Sequence, residues 1–443
     1  MSVFFVIAVS IIVIVLSKIL FHKWFNHLAI YTGLWGMMLS LYELKFLRYI
    51  DLRPDAWLVV VSGFLAFLLG IVTYFAARGC FPKKEDVSKR FSISEIPILA
   101  DGGKVLKAGI WIAGIIGLAA AIQNWIVLFK YFGNIQSIFL AANQIYRTRV
   151  ESEIPGVIPY VSAFSGVGIV LSGIYTAYKN RITMVAILPI VGSLLKSLAM
   201  FGRIWMLLAL VQFVASLVLF KSFMKPNKKG NKTIIISLTV IFLLFVTGAS
   251  LVKNTRGTYE VYKGASKEMQ AIRGGVVISP SVYLYMSAHI GVLSKYLEEG
   301  TETAKWGQYT FSPFYNVLAK FGLTERVPFD SRGYFIPMWT NSGTYLRDLH
   351  VDFGVAGIWV FPYLLGLIST FLWFKFYSTG GLRYFVILVH LYVIVSISFI
   401  TIATRGADWY FGLGVLIIIM PFLEKLAKRK SLQNNNNSGQ LID

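Results

Sequence analysis

Arginine supplies most of the chemistry available in this sequence. Arg147, Arg149, Arg203, Arg256, Arg273, Arg326, Arg332, Arg347 and Arg405 stand in or beside connections between apolar stretches. A guanidinium is a planar fork of N–H donors that suits phosphate and carboxylate. Arg203 and Arg405 are the most telling, because each occupies a tight turn, Phe201-Gly202-Arg203 and Thr404-Arg405-Gly406-Ala407-Asp408. A cation at such a place costs a few kcal/mol unless it faces protein, water or an anion. Lys196 adds a charge one to two turns before the first of these turns. Snorkelling to lipid headgroups accounts for any single arginine, but less easily for the whole set. An anionic lipid substrate is the alternative.

Candidate acids and bases are fewer. His289 lies on the apolar face of a helical pattern, where it is either a packed, satisfied histidine or a general base. Asp348 and Asp352 are four apart in the string Asn341-Ser342-Gly343-Thr344-Tyr345-Leu346-Arg347-Asp348-Leu349-His350-Val351-Asp352-Phe353-Gly354, so they share a helical face. Capping the following helix is the plain role for Asp352. No zinc signature, phosphate-cradling glycine loop or Gly-x-Ser-x-Gly elbow is present. An enzyme built on these residues is expected to use neither nucleotide nor bound metal, and no cofactor is implied.

The elements that must hold these groups are membrane helices. The chain is 56% hydrophobic and 14% charged, with a mean hydropathy of +0.66. About eleven apolar stretches approach the roughly 20 residues needed to cross a bilayer, near 3–20, 27–44, 56–77, 105–128, 157–178, 182–200, 203–223, 233–252, 353–374, 382–402 and 408–423. The first lacks a basic leader and a small-residue cleavage site, so it is expected to be a retained anchor. Basic residues cluster in alternate connections, at Lys18 and Lys23, Arg78 to Lys107, Lys179 and Arg181, Lys221 to Lys232, Lys375 and Arg383, and Lys425 to Lys430. That asymmetry puts these connections and the C-terminus in the cytoplasm and the N-terminus outside. The long polar loop 253–352 then falls outside.

The net charge of +21 is therefore mostly a topological signal. It does not argue for nucleic acid, which needs an aqueous basic face. Lys221 to Lys232 would attract anionic headgroups, making membrane lipids a partner. The one cysteine, Cys80, excludes an intramolecular disulfide. Inside the loop, Ser279-Pro280 and Ser312-Pro313 each open a helical pattern, the first closing at Gly300 and the second just before Gly322. Two amphipathic helices are expected there, lying on the membrane or capping the bundle. The tail 431–443 is expected to be disordered, and the whole is read as one polytopic domain, 1–443.

This order of parts resembles the O-antigen and capsule repeat-unit polymerases, the Wzy-type oligosaccharide polymerases. The shared features are a tight Phe201-Gly202-Arg203 hairpin, Thr255-Arg256-Gly257 after a span, a long outer loop, and Thr344-Tyr345-Leu346-Arg347-Asp348 leading to Asp352-Phe353-Gly354. The resemblance implies a metal-independent glycosyltransferase of the GT-C membrane fold in the cytoplasmic (inner) membrane, with its site on the periplasmic or outer face. It would join undecaprenyl-diphosphate-linked repeats into O-antigen, capsule or another surface polysaccharide, with a chain-length-regulating co-polymerase as partner. Arg203 and Arg256 would hold the diphosphate, with Arg347, Asp348 and Tyr345 in the late loop motif and Arg405 in an outer turn. Arg147, Arg149, Arg273 and Lys196 fit the broader cationic pattern. The base stays open between His289, Asp348 and Asp352. A surface-glycan ligase, a lipid-linked glycan transporter and a non-catalytic assembly partner are the competing readings.

Overall fold

The chain folds as an all-helical membrane protein. A computed structural model describes residues 3–79, 85–151, 158, 160–225, 232–255, 267, 280–300, 302–328, 332–336 and 339–439. We label the helices α1 (Val3–Phe21), α2 (His27–Glu43), α3 (Pro54–Arg78), α4 (Lys104–Phe132), α5 (Ala142–Glu151), α6 (Ala163–Lys179), α7 (Met184–Met200), α8 (Arg203–Phe223), α9 (Lys232–Thr255), α10 (Pro280–Ser287), α11 (His289–Glu299), α12 (Ser312–Lys320), α13 (Tyr345–Phe353), α14 (Val355–Thr379), α15 (Leu382–Ile397) and α16 (Ala407–Gly439). A two-residue hairpin pairs Tyr334–Phe335 with Trp339–Thr340.

Each apolar stretch of the sequence forms a helix over most of its described residues. Among the described residues six helices, α1, α3, α4, α8, α14 and α16, are long and apolar enough to cross a membrane. α2, α6, α7 and α15 are shorter, at 16 or 17 residues, and are packed well inside the bundle. Caps set their limits. The Asn26 side chain accepts from Ala29 N (2.8 Å) at the start of α2, and Gly79 and Gly380 close α3 and α14 in the left-handed conformation. α3 and α14 pack backbone against backbone. A Cβ on Gly70 would run into the Tyr363 carbonyl oxygen, and one on Gly366 into that of Phe67. In lipid, where no hydrophobic drive joins helices, such close approach is what binds them.

The connections gather at two ends. At one, Lys23 Nζ donates to Ser222 O (3.2 Å), Tyr178 Oη to Gly102 O (3.3 Å), and Lys225 N to Phe91 O (3.0 Å). At the other, Tyr49 meets Ser287 (2.7 Å), Arg53 N donates to Ser294 Oγ (3.1 Å), and Tyr345 N donates to Ser398 O (2.8 Å). At the first end these residues stand in or beside connections that carry basic clusters.

Two expectations are modified. The single helix expected over 280–300 breaks at Ala288 into α10 and α11, and both pack into the bundle end, with His289, Leu293 and Tyr296 buried. α12 differs, leaving Phe314, Leu318 and Phe321 exposed on an apolar face, as a surface-lying helix would. The tail expected to be disordered continues as helix to Gly439. No proline interrupts it after Pro421, and extending a nucleated helix costs little; residues 440–443 lie outside the described set.

Candidate functional site

Five charged side chains converge at the end of the bundle that carries the long loop. α13 brings three of them. Its N-cap is Thr344, whose hydroxyl accepts from Arg347 N, and its helical spacing sets Arg347, Asp348 and Asp352 against neighbouring elements. All three are buried, Arg347 to 0% exposure. The 3-10 turn Ala403–Arg405 supplies Arg405, 5% exposed, and the segment after Gly300 supplies Glu302, whose side chain is 4% exposed.

Glu302 is the hub. It pairs with Arg347, with Nε at 3.2 Å, and accepts the hydroxyls of Tyr309 (2.9 Å) and Tyr334 (3.3 Å). Arg347 Nη2 also donates to Arg332 O (2.7 Å), and its guanidinium lies 5.2 Å from the Tyr334 ring and 5.9 Å from Tyr296. Asp348 sits 3.8 Å from Arg405 and accepts from Ile402 N (3.3 Å). Arg405 in turn stacks 4.0 Å over the Tyr309 ring. Asp352 does not cap α14, where Gly354 takes that position. It accepts from Tyr309 N (2.8 Å), Thr310 N (2.6 Å) and Thr310 Oγ1 (2.7 Å), and so straps the 302–310 segment over the cluster.

Burial and charge oppose each other here. Burial holds the Asp348 carboxyl above the ordinary value of 3.8, although Arg405 and Arg347 pull it back. Burial also raises Asp352, against the hydrogen bonds from Tyr309 and Thr310. At Arg347 burial works against the charge, but Glu302 and Asp348 more than offset it. The result is a charged cluster with little water, where each interaction is stronger than at a surface.

Next to it lies a small cavity of about 70 Å³, among α6, α7, α8, α15 and α16, whose surface is mostly apolar with a few polar groups set into it. Lys196 and Asp408 form an ion pair in it, with Lys196 Nζ also donating to Ser162 Oγ (3.0 Å) and Ser162 Oγ to Asp408 Oδ1 (3.1 Å). The Trp205 ring lies 4.9 Å from Lys196 Nζ. Ala403 and Gly406 line the cavity, so one turn sends Arg405 to the cluster and Asp408 to the cavity.

Arg347, Asp348, Asp352 and Arg405 are thus brought together, and Lys196 lies next door with its charge matched by Asp408. Arg203 opens α8 with its guanidinium 5.4 Å from the Tyr285 ring. Tyr285 meets His289 edge-on at 6.0 Å. The ring nitrogens of His289 both face backbone carbonyls, Nδ1 at Ser342 O (3.0 Å) and Nε2 at Tyr285 O (2.7 Å). A neutral ring donates from one nitrogen only. Burial lowers its pKa while both carbonyls favour the charged form. Tyr345 is fully packed, its hydroxyl 3.0 Å from that of Tyr31.

Arg149 is buried away from the cluster, bonded to Asn124 Oδ1 (3.2 Å) and the Met200 sulfur (2.9 Å), and burial lowers its pKa to about 10. Arg147 is exposed on the same helix. Arg256 and Arg273 lie outside the described residues. The sequence reasoning missed Glu302, which follows a helix-closing glycine with no motif around it. It also missed Ser162 and gave Asp408 no role. Among the described residues no group of three or more His, Cys, Asp and Glu could hold a metal ion. No known protein family, curated protein or solved structure matches the chain.

Proposed function

We propose that the chain is a metal-independent glycosyltransferase that polymerises undecaprenyl-diphosphate-linked oligosaccharide repeats at the outer face of the cytoplasmic membrane. The eleven apolar helices would then all span, with the N-terminus outside, in a GT-C-type arrangement. The observation that carries this reading is the Asp348–Arg405 pair inside the closed cluster. It sets a carboxylate that burial makes more basic beside guanidiniums able to receive negative charge.

The chemistry follows from those groups. The anomeric carbon–oxygen bond to the diphosphate breaks and its electron pair leaves with the diphosphate. Arg405 and Arg347, with Arg203 at the rim, stabilise that charge in a low-dielectric site. The acceptor hydroxyl attacks the same carbon, and Asp348 takes its proton. His289 orients the Ser342-Gly343 backbone, against which the Arg347 side chain rests. Because Arg347, Asp348 and Arg405 are buried, the diphosphate reaches them only when the 302–310 strap lifts from Asp352. A chain-length-regulating co-polymerase belongs to the same proposal.

Release of free lipid diphosphate from a lipid-diphosphate-linked oligosaccharide tests it. Arg405→Ala is expected to lower the turnover by about 10²–10³-fold, with Arg405→Lys in between. Turnover by Arg405→Ala equal to that of the parent protein contradicts the assignment.

A further inference from the structure

The Lys196–Asp408 cavity has a chemistry of its own. Its walls carry an ammonium, a carboxylate, the hydroxyls of Ser162, Ser165 and Ser193, and the Gln212 amide, beside the indoles of Trp205 and Trp409. Ser165 is 3% exposed, and its hydroxyl finds no hydrogen-bond partner among the described residues. Among the described residues Gln212 makes a long contact, 3.5 Å, to His390 Nε2. Donors and an acceptor are therefore in place and incompletely used.

Charge narrows what fits. Lys196 and Asp408 already neutralise one another, so an entering phosphate meets the Asp408 carboxylate and an entering cation meets Lys196. An apolar ligand would leave buried polar groups without partners, at a cost for each. A neutral polyol satisfies all of them. Its hydroxyls donate to Asp408 and accept from Lys196, Gln212 and the serines, while its C–H face lies on an indole. A volume of about 70 Å³ holds two or three waters' worth of atoms, the hydroxyl-bearing edge of one sugar ring.

We infer that this cavity is a recognition subsite for the hydroxyl-bearing edge of one neutral sugar ring, with Asp408, Lys196 and Gln212 reading its hydroxyls and the apolar wall meeting its C–H groups. The Ala403–Asp408 segment places it beside the Arg405–Asp348 pair. If the proposed transfer is right, the ring whose edge it reads is the terminal sugar of the acceptor. That last assignment rests on the proposed function, whereas sugar binding does not. Asp408, Lys196 and Gln212 are then positioning residues that set which acceptor hydroxyl is presented.

The test uses the full-length protein in lipid nanodiscs. Saturation-transfer NMR is run with the methyl glycosides of glucose, galactose, mannose and N-acetylglucosamine, and with inorganic phosphate as competitor. At least one glycoside is expected to receive saturation, phosphate is expected not to displace it, and Gln212→Leu and Asp408→Asn are expected to weaken binding by about ten-fold or more. Gln212 is in no ion pair, so Gln212→Leu keeps the test decisive if Asp408→Asn unfolds. Absence of transfer to every glycoside, displacement by phosphate, or Gln212→Leu binding like the parent overturns the subsite. Glycoside binding without any glycosyl transfer sinks the proposed function and leaves the subsite standing. Glycosyl transfer in which Gln212→Leu leaves the acceptor KM unchanged does the reverse.

Discussion

At Asp348 burial favours the protonated carboxyl and Arg405 favours the charged one, and burial prevails. Two consequences follow. A base must be deprotonated, so transfer is expected to fall as pH drops through a value above 3.8, and a pH–rate profile should place that acid limb above the ordinary carboxylate range. In the window between 3.8 and the native value the folded state holds more protons than the unfolded one. Stability therefore declines as pH rises through that window and is flat beyond it. Asp348→Asn is expected to abolish this part of the slope in denaturation measured against pH, and to lower transfer by about 10²–10⁴-fold. Glu302→Gln removes the partner of a fully buried guanidinium and is expected to cost about 3–5 kcal/mol of stability, read from the denaturation midpoint. Arg347, Arg405, Asp348 and Asp352 were legible in the sequence because charge beside an apolar stretch is conspicuous. Glu302 was not, because its role depends on a fold-back that brings it to Arg347, and nothing local marks it.

The elements explain how distant residues meet. α13 is short, capped by Thr344, and held to α15 through Tyr345 N and Ser398 O. Its hold on the 302–310 strap passes through Asp352. Asp352→Ala is expected to free that strap, and limited proteolysis should then cut within 302–310 well before any cut in the parent protein. Equal cutting rates would show that other contacts hold it. The α3–α14 contact is expected to tolerate no bulk, so Gly366→Leu should cost about 1–3 kcal/mol or more through overpacking against the Phe67 backbone. The helices themselves were plain from apolar run length. The break at Ala288 was not, since no glycine or proline stands there; tertiary packing of His289 against Ser342 and Tyr285 replaces a local signal.

Among the described residues, Lys23, Lys221 and Lys225 of the basic clusters meet at one end, and the charged cluster with its cavity occupies the other. In a cysteine-free background made by Cys80→Ser, the account expects Glu325→Cys to react with an impermeant maleimide in intact cells, and Lys430→Cys only after permeabilisation. The opposite pattern would put the cluster in the cytoplasm and remove an externally working enzyme. The sequence carries a topological expectation because Lys and Arg counts differ between connections, whereas the depth of the cluster was not legible, because long-range packing decides it. The most direct measurement is an assay of purified protein with its lipid-diphosphate-linked repeat, without nucleotide sugar and with chelator present. The expected result is a ladder of lengthening glycans that disappears in Asp348→Asn and Arg405→Ala. A folded protein that yields no ladder on verified substrate, or a ladder that survives both substitutions, would contradict it.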